Sequence, residues 1–248
     1  ESVLGDVAHV CLIPHSGLIF GTLVPKGPFI NVSVLSSGKS PVSVTDFLNN
    51  DIVRSMLPKF YKHTCGCRPL AAISSAQYYY TDRFVAIGDA AVSRLYKDGI
   101  GSSLLTAREA AGTIVHHGFS RQDFRVYYQP LCDSIDRDNK WGWLLFWMND
   151  KAKNSRSLLL AQHRLVGDEQ YNVRGPQRFT KSAWGMFSGT YSYRDIAGMV
   201  FSPPSFARLL WVLFRESLVR LPKQEGSYPR RLYVGSRKVL ILGSGFGG

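Results

Sequence analysis

The chain has few cysteines, few acidic residues and no long apolar run, and each shortage excludes a class of protein. Only four of its 248 residues are Cys, so a disulfide framework is not expected, and we predict reduced thiols in a cytoplasmic protein. His63, Cys65 and Cys67 have no second ligand pair, so we expect no metal site. No apolar run is long enough to span a bilayer, and no signal-peptide pattern opens the sequence.

Positive charge is concentrated in the C-terminal part of the chain. Residues 1–149 contain 14 Lys or Arg against 12 Asp or Glu, whereas residues 150–248 contain 16 against 6. Such a basic region favours an acidic partner. The basic residues are scattered singly and no nucleic-acid-binding motif accompanies them, so we expect no nucleic acid partner.

The pattern of apolar residues predicts an α+β protein. Turn signals and period-two alternation over residues 7–37 indicate an antiparallel meander, and residues 45–57 are typical of a helix capped by Thr45. Residues 121–165 and 179–221 indicate further helices. Residues 222–236 are rich in Pro, Gly and Arg and have the composition of a linker.

Residues 84–111 carry the most informative pattern. A short apolar β-run, Phe84–Ile87, ends at Gly88-Asp89, and a glycine-containing loop through Gly101 leads to a helix predicted to begin near Ser102. Leu104, Ala107, Ala111 and Ile114 form one apolar stripe, which we expect to pack on a sheet. Gly88 permits a close turn, Asp89 offers a carboxylate for a sugar hydroxyl, and the helix start favours negative charge.

This run resembles the second FAD-binding motif of the para-hydroxybenzoate hydroxylase-type flavoproteins, especially their geranylgeranyl reductase-like branch. The resemblance covers about residues 7–145 and implies that Asp89 contacts the ribityl chain of FAD while Gly99, Ile100 and Gly101 back the isoalloxazine ring. Gly88 would admit the cofactor. The resemblance also implies a substrate-binding sheet, with substrate-facing positions at Phe20, Thr22, Pro25 and Lys26.

The resemblance sets the expected domain organisation. Residues 1–82 would hold the substrate-binding antiparallel sheet, 83–120 the C-terminal part of the FAD-binding α/β domain and 121–221 a mainly helical region, followed by the linker 222–236. The glycine-rich unit that holds the ADP half of FAD in this family is not found before Gly88, so we expect it upstream of Glu1.

A second dinucleotide signature lies at residues 237–248. A basic lead-in and an apolar strand precede the pattern G-x-G-x-x-G, which is formed by Gly243, Gly245 and Gly248. This segment resembles the opening of a type II NADH dehydrogenase-like domain. The resemblance implies NAD(P)H as an electron donor, and an alternative interpretation is a glycine-rich tail.

Three functions are consistent with these patterns. The first is an FAD-dependent oxidoreductase, of which this chain is a fragment, acting on a small-molecule, quinone-like or lipid substrate. The second is a non-catalytic, basic membrane- or partner-docking module, because Ser205–Leu221 predicts a helix with apolar and arginine-bearing sides that either packs on its own domain or lies on a membrane surface. The third is a flavin-free Rossmann dehydrogenase.

Overall fold

A computed structural model describes residues 4–15, 17–37, 40–71, 73–97, 99–172 and 174–218. These residues form a mixed α+β fold with a small antiparallel sheet and a helical C-terminal half. The predicted meander is confirmed: strands β1 (His9–Cys11), β2 (Leu18–Lys26) and β3 (Phe29–Ser36) pair in sequence order. The linker and the second glycine motif lie outside the described residues.

Two short helices cover one core beside the sheet. Helices α1 (Val44–Leu48) and α2 (Asp51–Met56) place Phe47 and Val53 in the cluster that also contains Leu23 of β2. The prediction of one helix from Thr45 was wrong in detail, because Ser43 caps α1 and Asn50 caps α2. The Asn50 side chain accepts a hydrogen bond from the amide of Ile52 at 3.1 Å. This local bond starts a second helix at Asp51 instead of a continuation of α1.

An exposed, irregular segment separates this part from the next hairpin. From Leu57 to Tyr78 the described residues form no helix or strand, and the free thiols of Cys65 and Cys67 are exposed within it. Strands β4 (Tyr80–Thr81) and β5 (Phe84–Val85) then form a two-stranded hairpin. The predicted β-run is therefore shorter than expected, and Phe84 and Ile87 are exposed because no further strand covers them within the described ranges.

The long helix after the glycine loop is confirmed, but its buried face is not the predicted one. Helix α3 (Gly99–His116) begins three residues before Ser102, and the positions it buries are Ser102, Thr106, Ala110 and Thr113. Leu104 and Ile114 of the predicted apolar stripe are exposed. The small polar side faces inward because the turn at Gly88 packs closely against Ser103 and Thr106.

Helices dominate the rest of the described chain. They are α4 (Arg121–Asp123), a π-helical segment (Phe124–Tyr128), α5 (Gln129–Lys153), α6 (Arg156–Tyr171), α7 (Arg178–Ser188), α8 (Tyr193–Phe201) and α9 (Pro203–Leu218). The buried Lys153 of α5 pairs with Asp150 at 2.9 Å and donates to the carbonyl of Leu18. This contact joins the helical half to the sheet.

Candidate functional site

The turn that follows β5 requires glycine. Gly88 opens a 3₁₀ turn, Gly88–Ala90, with a φ of +59°, a conformation that side chains with a Cβ rarely adopt. Its buried N–H donates to Oγ1 of Thr106 at 2.8 Å. A methyl group at Gly88 would lie 2.4 Å from Oγ of Ser103. Thr106 and Ser103, which lie about one turn apart on α3, thus hold the turn at Gly88 by a hydrogen bond and a close contact.

This turn places Asp89 beside the start of α3. A methyl group built on Gly99 would lie 3.6 Å from Oδ2 and 3.9 Å from Oδ1 of Asp89. Asp89 is exposed, and its carboxylate makes no hydrogen bond or ion pair with the described residues. The start of α3, next to Asp89, is the positive end of the helix dipole. A negatively charged acceptor and an electropositive helix end therefore share one exposed surface.

The residues at the beginning of α3 extend this surface. Gly99 and Gly101 are half-buried, whereas the Ile100 side chain is 75% exposed. The structure brings Asp89, which directly follows Gly88, next to Gly99, and Ile100 and Gly101 continue the first turn of α3. Two further exposed apolar residues lie close in sequence: Ile87 precedes Gly88, and Leu104 follows Ile100 by one turn of α3.

The loop between Asp89 and α3 is fixed by Asn139 of α5. The Asn139 side chain is buried, accepts from the N–H of Leu95 at 2.9 Å and donates to the carbonyl of Ser93 at 2.8 Å. The hydroxyl of Tyr193 donates to the carbonyl of Leu95. Side chains thus satisfy the polar backbone groups of a loop that is mostly buried, as interiors require.

Two basic side chains of the same loop bind the connection between α7 and α8. Arg94 donates to the carbonyls of Gly189 and Tyr191, each at 3.0 Å. Lys97 is 2% exposed, and it donates to the carbonyl of Gly185 near the end of α7 at 2.8 Å and to that of Tyr191 at 3.0 Å. Its Nζ also lies 3.7 Å from the ring centroid of Tyr193, a cation–π contact. These cations anchor the loop that sets the distance between Asp89 and Gly99.

Asn139, Arg94 and Lys97 were not predicted from the sequence. Arg94 and Lys97 look like solvent-exposed basic residues in a polar loop, and Asn139 lies within a helix whose apolar pattern draws attention elsewhere. Their partners are backbone carbonyls about 40 to 100 residues away in sequence. No local pattern in a single sequence encodes such pairs.

Residues predicted to face substrate lie in two different environments. Phe20 is buried, with ring centroids 6.4 Å from Phe146 and 5.1 Å from Phe187, and Thr22 is also buried. Pro25 is half-buried and Lys26 is exposed at the end of β2 that turns into β3. Phe20 packs in the same core cluster as Leu95, so β2 and the loop between Asp89 and α3 pack against the same core.

Buried aromatic residues form the support on the other side of the turn. Tyr128 donates to the carbonyl of Ala86 at 2.7 Å, and its ring contacts that of Tyr79. Burial raises the pKa of both phenols, and it raises the pKa of the Cys132 thiol beside them. These groups therefore stay neutral and act as packing and hydrogen-bonding residues. Tyr78 is exposed.

A shallow cleft of about 370 Å³ lies elsewhere, between α6 and α9. Its lining includes Asp168, Glu169 and Arg208, and no residue of the Gly88–Gly101 region. Glu169 accepts from the amides of Phe179 and Thr180 at 3.2 and 2.8 Å, which caps the first turn of α7. The charged groups of this cleft are thus engaged in holding helices together.

Gly243, Gly245 and Gly248 lie outside the described residues, so their predicted role stays a prediction. Within the described ranges, no group of three or more His, Cys, Asp or Glu is arranged to hold a metal ion. No protein-family model matches the chain, and comparisons with curated proteins and with solved structures give no significant match.

Proposed function

We propose that the chain is part of an FAD-dependent oxidoreductase, in which the surface formed by Asp89 and the beginning of α3 binds the flavin half of the cofactor. One observation carries the proposal: an exposed carboxylate without a partner among the described residues lies within van der Waals distance of a Cβ position at the start of a long helix. A ribityl chain offers hydroxyl donors, and a carboxylate accepts them strongly.

The helix end supplies the complementary charge. A reduced flavin ring and a pyrophosphate are both anionic, and the positive end of a helix dipole stabilises negative charge nearby. Ile87, Ile100 and Leu104 add exposed apolar surface for an aromatic ring system. The glycines at positions 99 and 101 leave space for a close approach of the cofactor to the backbone.

In this proposal the residues of the chain orient the cofactor, and the bound flavin supplies the hydride or electron transfer. Asp89 would hold the ribityl chain. Arg94, Lys97 and Asn139 would act as positioning residues, because they fix the loop between Asp89 and Gly99 through backbone contacts. NAD(P)H as electron donor and a quinone-like or lipid substrate remain part of the proposal.

The test is FAD binding by the complete gene product. The purified protein is expected to show the visible absorption bands of bound flavin and to quench flavin fluorescence on titration. Asp89→Ala removes a charged acceptor, whose hydrogen bonds are worth about 1.5–3 kcal/mol, so FAD affinity should fall roughly 10- to 150-fold. Asp133→Ala, at an exposed position of α5, is the matched control and should leave affinity unchanged.

Anaerobic addition of NADH or NADPH then tests the electron donor, because bleaching of the bound flavin reports its reduction. A complete gene product that binds no FAD rejects the proposal. Equal effects of the substitutions at Asp89 and Asp133 reject the assigned site even if the protein retains flavin.

A further inference from the structure

Helix α9 is apolar on two opposite sides. Its inner side places Val212 in a core cluster with Ala161 and Leu165 of α6, joined by Leu209 and Leu213. Its outer side exposes Phe206, Leu210, Trp211 and Phe214, which we call the α9 outer face. At 3.6 residues per turn these four side chains span an arc of roughly 140°. A surface helix normally carries polar residues there, so this face is suited to a second contact.

The composition of the α9 outer face matches a lipid interface. Trp211 is 65% exposed, and its ring lies beside that of Phe214 with centroids 6.4 Å apart. Aromatic residues together with Leu are typical of helices that lie at the boundary between headgroups and acyl chains. The indole N–H of a tryptophan can bond to headgroups while its ring enters the apolar layer.

Charge next to this face identifies the type of surface. Arg215 is exposed at the end of the face, and residues 215–231 of the sequence contain five Lys or Arg against two Glu. Arg208 lies near the same edge, but it is engaged with Asp168 at 3.4 Å and Glu169 at 3.6 Å. An apolar face with an exposed arginine at its edge, followed by a basic sequence, is complementary to an anionic bilayer surface, to which Lys and Arg are attracted.

The geometry favours a helix that lies in the surface over one that crosses it. Among the described residues no single helix has the length and apolarity for a span, although α8 and α9 meet that test as a pair bent by 61°. The 16 residues of α9 are about 24 Å long, less than the ~30 Å hydrocarbon core. Spanning would also remove Val212 from α6 and Ile196 of α8 from its core.

We propose that the α9 outer face docks on an anionic phospholipid bilayer, with α9 parallel to the membrane plane and its aromatic side chains between the headgroups. This inference concerns a surface remote in sequence from Asp89, and it does not depend on flavin binding.

Vesicle co-sedimentation tests the proposal. The 248-residue chain is mixed with vesicles of pure phosphatidylcholine or of phosphatidylcholine with phosphatidylglycerol. We expect stronger binding to the anionic vesicles, and a decrease at high salt because the charges are screened. Trp211→Ser should reduce partitioning about tenfold or more, since the ring loses its burial in the interface. Trp147→Ser is the matched control, because Trp147 of α5 is 59% exposed.

Tryptophan fluorescence locates the contact. Brominated lipids should quench the emission of the parent chain more than that of Trp211→Phe. Circular dichroism and the thermal midpoint of each of the three variants establish that they remain folded.

Three outcomes overturn the proposal. The chain binds neither type of vesicle; Trp211→Ser and Trp147→Ser reduce binding equally; or light scattering shows a dimer that Trp211→Ser dissociates, in which case a second copy covers the face. A loss confined to Trp211→Ser supports it, whatever the result of the FAD titration.

Discussion

Gly88→Ala tests the turn on which the candidate site depends. The φ of +59° at this position costs a residue with a Cβ about 1–2 kcal/mol, because left-handed backbone brings the Cβ close to the carbonyl oxygen. The new methyl group would also meet Oγ of Ser103 at 2.4 Å and Cβ of Ser103 at 3.2 Å. Overpacking of this kind costs about 1–3 kcal/mol. The two effects together predict a loss of roughly 2–5 kcal/mol in the free energy of unfolding.

Urea denaturation followed by circular dichroism measures this loss, and the matched control is Gly112→Ala. Gly112 lies within α3, and a methyl group there meets no atom within 4 Å. That substitution should stabilise the chain by about 0.5–1 kcal/mol, since alanine is the better helix former. The steric part of the Gly88 effect should be relieved by Ser103→Ala in a double-mutant cycle, with a coupling energy of about 1 kcal/mol or more.

A change of less than about 0.5 kcal/mol in the free energy of unfolding of Gly88→Ala, the range of ordinary surface substitutions, would contradict this assignment of strain. An unchanged cost in the Ser103→Ala background would also contradict it, because the close contact would then have no energetic consequence. In the proposed flavoprotein, a destabilising Gly88→Ala should in addition weaken FAD binding by moving Asp89.

Three further predictions concern buried polar groups. Lys97→Met removes the buried donor to the carbonyl of Gly185 and one of two donors to that of Tyr191 and should cost roughly 1–3 kcal/mol, whereas Lys140→Met at an exposed position should change stability by less than about 0.5 kcal/mol. Asn139→Leu removes the acceptor of the Leu95 N–H and a donor to the Ser93 carbonyl, and urea denaturation should show a loss of roughly 2–4 kcal/mol. Burial raises the pKa of the Cys11 thiol from 9.0 to about 11. The folded chain then keeps a proton that the unfolded chain loses, so the free energy of unfolding falls as pH rises from 9.0 towards 11, by up to about 1.4 kcal/mol per pH unit. Cys11→Ala should remove this part of the slope, and an unchanged slope would contradict the assigned burial.

Elements with strong local signals could be predicted from the sequence. The meander of β1, β2 and β3 was predicted from apolar segments, one with alternating apolar and polar residues, that are separated by turn residues. Helix α3 was predicted from a long apolar repeat after a glycine-containing loop. The pairing of Asp89 with the start of α3 was also predictable, because both lie in one short strand–turn–helix segment. Helix ends were less predictable, since Ser43 and Asn50 compete with Thr45 as caps.

The apolar stripe of α3 shows where sequence periodicity misleads. Periodicity identifies an apolar side of a helix, but it does not specify which side a neighbour covers. The neighbour of α3 is the turn at Gly88, whose N–H requires an acceptor, and Thr106 provides one. Leaving that buried amide without an acceptor would cost about 1–3 kcal/mol. The side with small polar residues is therefore buried, and Leu104 and Ile114 are exposed.

By itself the sequence determined the mixed α+β class, the antiparallel sheet, the long helix and a carboxylate beside the start of that helix, because these depend on local conformational preferences. The tertiary structure decided which helix faces are buried, and it alone revealed Asn139, Arg94 and Lys97 as the residues that fix the loop before α3. It likewise decided that α9 keeps an exposed aromatic face after its other side has packed on α6. The physical reason is the same in each case: a hydrogen bond or a packing contact between distant segments depends on two surfaces meeting, and neither segment encodes its partner.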